Sequence, residues 1–375
     1  MAITTTVGNR SQRVSNFENE GLVELGLTTQ GIICNGNMKS WQFNRKFLTH
    51  SIMSPNFLKD FVQETQSLFN EMGNYWSNLG TDFQIDLAQW MYRFTTDTML
   101  KSTTGKPFYS VLSYYNTLAP TKIKVPGLMT IEPEEFLALI TNWLTMVMYF
   151  LFFSNLIRHY IPGFRQFTQK LLAKNEQLDE KVLTIIEERR KDIESSSETP
   201  LQNDILTSLL IANTSRDTNS SSNDEALKPL TNNEIRQIML DVFIAGIDTV
   251  FQLSREDVIG GLKFKPGTMF CANQQGIHRS TQYWKDPEKF IPERFVKGSE
   301  FEAKNLEKNA YNPFGGGLRL CPGRHVAMAE LKVLIVLLFG KYDVQLANPK
   351  SPLKYSLVAL NQCNELKVLI RPKTN

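Results

Sequence analysis

The chain has 375 residues, 42% of them apolar and 11% aromatic, which is ample for a large folded core. Lys and Arg total 41 against 38 Asp and Glu, and the charges are dispersed, so nothing in the balance points to nucleic acid as a partner. Four cysteines, Cys34, Cys271, Cys321 and Cys363, without a C-x-x-C, exclude a disulfide scaffold, a zinc ribbon and a thioredoxin-type motif. They fit a reducing compartment, where the sequons at Asn9, Asn213 and Asn219 carry no meaning.

The polar start, MAITTTVGNRSQRVSNFENEG, is neither a signal peptide nor an anchor, and residues 1–40 read as irregular or short-helical. Helical periodicity runs from Ser40 to Met72. A strand-like FQIDL then leads into a helix over Asp86–Lys101. Helices follow over 133–157 and 164–194. Within the first, Phe136–Ile157 gives 22 residues without a charge, interrupted by Thr141, Asn142, Thr145, Ser154 and Asn155. That stretch suits a buried or membrane-dipping helix, and its length also permits a span. NDILTSLLIAN reads as a short helix, and residues 214–230 as a flexible polar loop. Thr231 and Glu234 form a capping box opening the apolar helix IRQIMLDVFIAGIDTV. Beyond Val250 come short strands with turns at Gly260-Gly261 and Pro266-Gly267, then a proline-punctuated coil. A last helix over about Gly323–Phe339 precedes strands near 341–347 and 366–371. The class is mainly α with a small β portion.

The chemistry concentrates in NPFGGGLRLCPGRHVAMAEL, where Phe314, Gly317, Arg319, Cys321 and Gly323 follow the order F-x-x-G-x-R-x-C-x-G. Each type is explicable if Cys321 holds a haem iron. A helix N-terminus stabilises a thiolate. Gly317 allows a tight turn, and Gly323 lets backbone approach a flat macrocycle. Arg319 suits a propionate, and Phe314 keeps the sulfur dry. A buried free cysteine beside a helix cap is the bland alternative.

FGGGLRLCPG resembles the haem-binding loop of the cytochrome P450 family, the haem-thiolate monooxygenases. Ala245-Gly246-Ile247-Asp248-Thr249 resembles the family's oxygen-binding pattern, in which the glycine lets the helix deform and Asp248 and Thr249 relay protons. Trp41 and Arg45, one helical turn apart, resemble its propionate-binding pair. Pro292-Glu-Arg-Phe295 resembles its meander, where Arg294 locks the fold.

The resemblance covers roughly residues 20–375 and implies a single, incomplete P450-like domain of eukaryotic microsomal type. The implied function is insertion of one oxygen atom from O2 into a small apolar substrate. Haem b is the implied cofactor and a separate NADPH-dependent reductase the implied electron donor. Membrane association at the cytosolic face of the endoplasmic reticulum follows from the same likeness, with 136–157 as the candidate contact. Two departures stand out. The family's anchor, first helix and early strands have no counterpart before Trp41. Only Val250 to Glu256 separate the oxygen motif from Asp257, where the family has further helices with an E-x-x-R. Glu187–Arg190 matches that spacing upstream and reads as chance. The deletion would leave Arg294 without its expected partners and apolar surface exposed. A catalytically impaired haem-binding remnant, or a truncated gene product, is therefore the alternative to an active enzyme.

Overall fold

Helices start where the sequence offers polar caps. The Asn19 carboxamide oxygen accepts the amides of Gly21 and Leu22 and opens α1 (Glu20–Glu24). Asn37 does the same for α2 (Met38–Ile52). Ser54 caps α3 (Pro55–Leu79), whose first residue is a proline that needs no amide donor there. The helical pattern from Ser40 is thus two helices, broken by Ser54-Pro55. Asp86 ends β1 (Gln84–Asp86) and caps α4 (Leu87–Thr104), which stops on Gly105 at φ 73°. The next helix, α5 (Ser110–Leu118), was not legible from the sequence. Asp97 on α4 opens it, accepting the Ser110 amide at 2.8 Å and the Val111 amide at 2.9 Å.

The uncharged stretch forms α6 (Pro133–Phe152), then breaks at Phe153-Ser154 before α7 (Asn155–Tyr160). By length and composition α6 is apolar enough to cross a membrane, yet 44% of its apolar window is buried in the protein. Phe136 packs edge-on against Phe108 and Phe243, and the Tyr149 hydroxyl meets Thr168 at 3.1 Å. Helices α8 (Phe164–Ser195), α9 (Ile205–Ile211) and α10 (Asn232–Ile244) follow. The capping box forms: the Thr231 amide donates to Glu234 at 2.8 Å and the Glu234 amide to Thr231 Oγ1 at 3.3 Å.

From Val250 the described residues first form short strands. β2 (Val250–Gln252) pairs antiparallel with β5 (Met269–Cys271), and β3 (Asp257–Ile259) with β4 (Leu262–Phe264) through a turn holding Gly261 at φ 82°. A short helix, α11 (Gln274–His278), precedes the coil. The last helix, α12 (Arg324–Lys341), leads into β6 (Tyr342–Leu346), a hairpin of β7 (Lys354–Leu357) and β8 (Asn361–Glu365), and β9 (Lys367–Pro372). Strands β1, β9 and β6 make an antiparallel sheet in that order, with Ile85 opposite Val368 and Val344 opposite Ile370.

This computed structural model describes residues 19–80, 83–126, 132–195, 203–212, 214, 229–244, 250–252, 257–259, 261–265, 269–271, 273–300, 310–357 and 361–373. The flexible-loop expectation for 214–230 and the Pro266-Gly267 turn lie mostly or wholly outside them. Contacts divide the chain into a large unit, Glu18–Ile247 with His325–Asn375, and a small one containing Asp248–Arg324. The large unit's core joins Phe69, Met72 and Trp76 of α3 to Trp90 and Phe94 of α4, Tyr115 of α5, Leu338 of α12 and the sheet. Trp76 stands edge-on to both Trp90 and Tyr342, with centroids 5.9 and 5.6 Å apart.

Candidate haem-thiolate loop

The cysteine loop is shaped by its own backbone. Gly315 and Gly317 both take left-handed conformations, at φ 71° and 65°, where a side chain would be strained. The Gly315 amide donates to Asn312 O at 3.3 Å, and a single 3₁₀ turn over Gly317–Arg319 is closed by the Leu320 amide. The Cys321 amide then donates back to Phe314 O at 2.9 Å, so the loop closes on the residue that opened it. Phe314, Arg319 and Cys321 are each partly buried, and Cys321 is a free thiol. Three residues later α12 begins, so the thiol precedes a helix N-terminus as its sequence position requires.

Gly323 supplies the test of fit to a haem. It lies outside the left-handed region, so no backbone requirement selects glycine there. A Cβ at this position would meet nothing closer than the Cys321 sulfur, at 4.0 Å. Packing within the described residues does not account for the missing side chain either. Bare backbone beside a free thiol suits a flat group lying against the sulfur, and the residues present therefore fit a haem.

Two residues that sequence reasoning passed over hold the loop's entrance. Asn312 donates its amide to His278 Nε2 at 3.2 Å, which requires a neutral imidazole with its proton on Nδ1. Burial lowers the His278 pKa below its ordinary value and so favours that form. Tyr311 packs between His278 and Phe295, with centroids 5.8 and 5.0 Å away, and Trp284 is 6.1 Å off. The histidine and asparagine lie 34 positions apart, a pairing no local pattern reveals.

Arg294 sits in a 3₁₀ turn, buried, within the same unit. Its guanidinium collects main-chain carbonyls: Lys285 O, Asp286 O at 2.5 Å and Lys289 O at 3.3 Å. The sequence reading left this arginine without its expected partners; the coil itself supplies acceptors. Arg190, of the upstream E-x-x-R, donates instead to Asn232 at 2.8 Å. Trp41 and Arg45 share one face of α2 in the large unit, with the guanidinium 5.2 Å from the ring centroid and the indole buried. Ala245, Gly246, Asp248 and Thr249 lie outside the described residues. Among the described residues, no cluster of three His, Cys, Asp or Glu side chains is arranged to hold a separate metal ion.

The comparisons with known proteins place the chain in a family. The cytochrome P450 family model matches residues 3–251 and 252–368, two segments that meet at Phe251–Gln252. The chain belongs to the cytochrome P450 family. It is 34% identical to cytochrome P450 3A15 of Cavia porcellus over 128 residues, which is 33% of this chain and 25% of that one. It is 41% identical to a 9-beta-pimara-7,15-diene oxidase of Oryza sativa subsp. japonica over 95 residues, 25% of this chain and 18% of the relative. The chain thus spans a quarter or less of the curated relatives that it matches. The crystal structure of the cytochrome P450DA heme domain superposes with a TM-score of 0.74, covering 100% of this chain and 86% of that one at 16% identity. At that identity the likeness establishes a shared fold. The family implies a haem-iron cofactor.

Proposed function

We propose that the chain is a haem-thiolate monooxygenase, using haem b, a separate NADPH-dependent reductase and O2 to oxidise a small apolar substrate. The observation that carries this reading is the closed Phe314–Cys321 loop, with a free thiol beside a glycine whose side-chain space nothing in the described structure needs. Cys321 would hold the iron, Arg319 with Trp41 and Arg45 the propionates, and Gly317 and Gly323 the clearance for the ring. When bound, the haem supplies oxygen activation, which thiolate donation from Cys321 promotes. Phe314 keeps water from the sulfur, and Asp248 and Thr249 pass protons toward the oxygen side. In line with the family resemblance, the chain would work at the cytosolic face of the endoplasmic reticulum membrane.

Replacing Cys321 by Ser tests the axial assignment. The reduced, CO-treated wild-type protein is expected to show a thiolate-type Soret band, and C321S to lose it. An unchanged spectrum in the variant would reject the assignment. A second reading, a catalytically impaired haem-binding form, is supported by the strand that begins at Val250 and by the family match in two segments meeting at Phe251–Gln252. A haem-loaded sample that consumes NADPH with a reductase and yields oxygenated product rejects the impaired form. One that binds haem without turnover supports it.

A further inference from the structure

Asp241 lies on α10, four residues before Ala245, and its side chain is buried. One oxygen, Oδ2, accepts the backbone amides of Ile32 at 2.5 Å and Ile33 at 3.1 Å, and Oδ1 accepts Gln237 Nε2 at 3.3 Å. The approach is close: Gly31 has φ 71°, and a Cβ there would stand 2.4 Å from Asp241 Oδ2 and 2.5 Å from Gln237 Cγ. The same glycine offers its carbonyl to the other side. Asn44 Nδ2 donates to Gly31 O at 3.0 Å, and Asn35 Nδ2 at 3.1 Å. Both asparagines are fully buried. Asn44 belongs to α2, between Trp41 and Arg45.

One peptide segment is therefore gripped by α10 through a carboxylate and by α2 through a carboxamide. Burying an acid costs free energy that an apolar side chain of similar volume would not. What the acid provides is directional: two amides must point at one oxygen, which fixes the spacing of the two helices. Hydrophobic contact imposes no such direction.

We propose that Asp241 is a positioning residue: by gripping the Gly31–Ile33 loop it sets where α2 presents Trp41 and Arg45 relative to the helix leading into the 245–249 motif. The role of Trp41 and Arg45 toward haem rests on the function proposed above, while the positional claim can be read without haem. The test uses the full chain labelled with ¹⁵N. The Trp41 indole signal is identified by its loss in Trp41→Phe. Asp241→Asn retains shape and one acceptor oxygen, and Asn44→Ser cuts the second link without touching the acid.

Both variants are expected to move the Trp41 indole signal and leave those of Trp76 and Trp90 in place. Amide exchange at Ile32 and Ile33 should rise about tenfold in D241N, the weight of one hydrogen bond to a charged group, and stay slow in N44S. Haem titration should show affinity weakened about tenfold in both. A Trp41 signal unmoved in both variants overturns the proposal. Wild-type haem affinity in both, with the indole moved, rejects instead the propionate role proposed above for Trp41 and Arg45 and upholds the positional claim. If the wild-type chain binds no haem, the monooxygenase reading fails instead, and the positional claim is decided by the Trp41 signal alone.

Discussion

His278 and two buried aspartates give the molecule opposite responses to acid. His278 must stay neutral to accept the Asn312 amide, and burial holds its pKa below the unfolded value of 6.5. Between that depressed value and 6.5 the unfolded chain binds more protons, so this contribution to stability is present above pH 6.5 and is lost as pH falls. Asp97 and Asp241 run the other way. Burial pushes each up to about 6 from 3.8, partly offset by the amides they accept. Over that interval the folded chain binds more protons, so stability falls as pH rises from 3.8 to about 6. The cysteine loop should therefore loosen on mild acidification while the large unit does not. The protection factor of the Asn312 amide, its exchange rate relative to the unprotected amide at the same pH, is expected to fall several-fold from pH 7 to pH 5.5, with α4 and α10 amides no less protected. Replacing His278 by Ala should give the low protection at both pH values, a loss of about 1 kcal/mol for one hydrogen bond. An Asn312 protection factor that stays flat with pH in the wild type refutes the role of the imidazole. Residues at this scale were readable where the motif is contiguous, as for the tight turn at Gly317. They were unreadable where partners meet across the fold, as His278–Asn312 and Asp241–Ile32 do.

Elements were legible wherever periodicity and caps agreed. The strand and helix after FQIDL, the long α8 and the capping box of α10 all appear close to their expected bounds. The expectation of one helical stretch from Ser40 failed at Ser54-Pro55, a cap-and-proline pair inside an apolar pattern. Helix α5 was missed because its opening signal, Asp97, lies 13 residues away on α4. Two element-scale predictions follow from close approaches. Gly73 on α3 has no room for a methyl: a Cβ would lie 2.4 Å from the Tyr342 hydroxyl on β6. Gly73→Ala should cost about 1–3 kcal/mol in chemical denaturation, and adding Tyr342→Phe, which removes that oxygen, should restore most of it. A double variant as unstable as G73A would show that the clash lies elsewhere. The corner between α6 and α8 presents Phe152, Leu156 and Tyr160 at 72%, 67% and 76% exposure. Helix α1 braces that corner. Asn19 Nδ2 donates to Leu151 O, Arg158 pairs with Glu24 at 2.8 Å, and a Cβ on Gly21 would meet Phe150 O at 2.0 Å. A held apolar corner favours contact at a lipid surface over a span by α6. Phe152→Asp with Leu156→Asp should weaken co-sedimentation with phosphatidylcholine vesicles at least tenfold, and unchanged binding would refute that contact.

At the scale of the whole molecule, the two units differ in what holds them. The large one has a continuous aromatic and aliphatic core. Among the described side chains between Asp248 and Arg324, Trp284, Arg294 and Ala310 are the buried ones. Arg294 there is satisfied by carbonyls of its own coil and adds little apolar burial. A segment whose described side chains bury so little apolar surface is expected to open at low free energy, ahead of global unfolding. Limited proteolysis without haem is expected to cut first between Asp248 and Arg324. Haem that ligates Cys321 binds the closed form of this unit alone, so it should protect the same bonds. At a free concentration one hundred times its Kd the stabilisation is about 2.7 kcal/mol, which slows cleavage through the open form about a hundredfold. In C321S the protection should vanish while the cleavage pattern without haem is unchanged. Initial cuts inside α3, α4 or α10 would show that the large unit is the weaker one. Protection surviving in C321S would move the haem away from this loop.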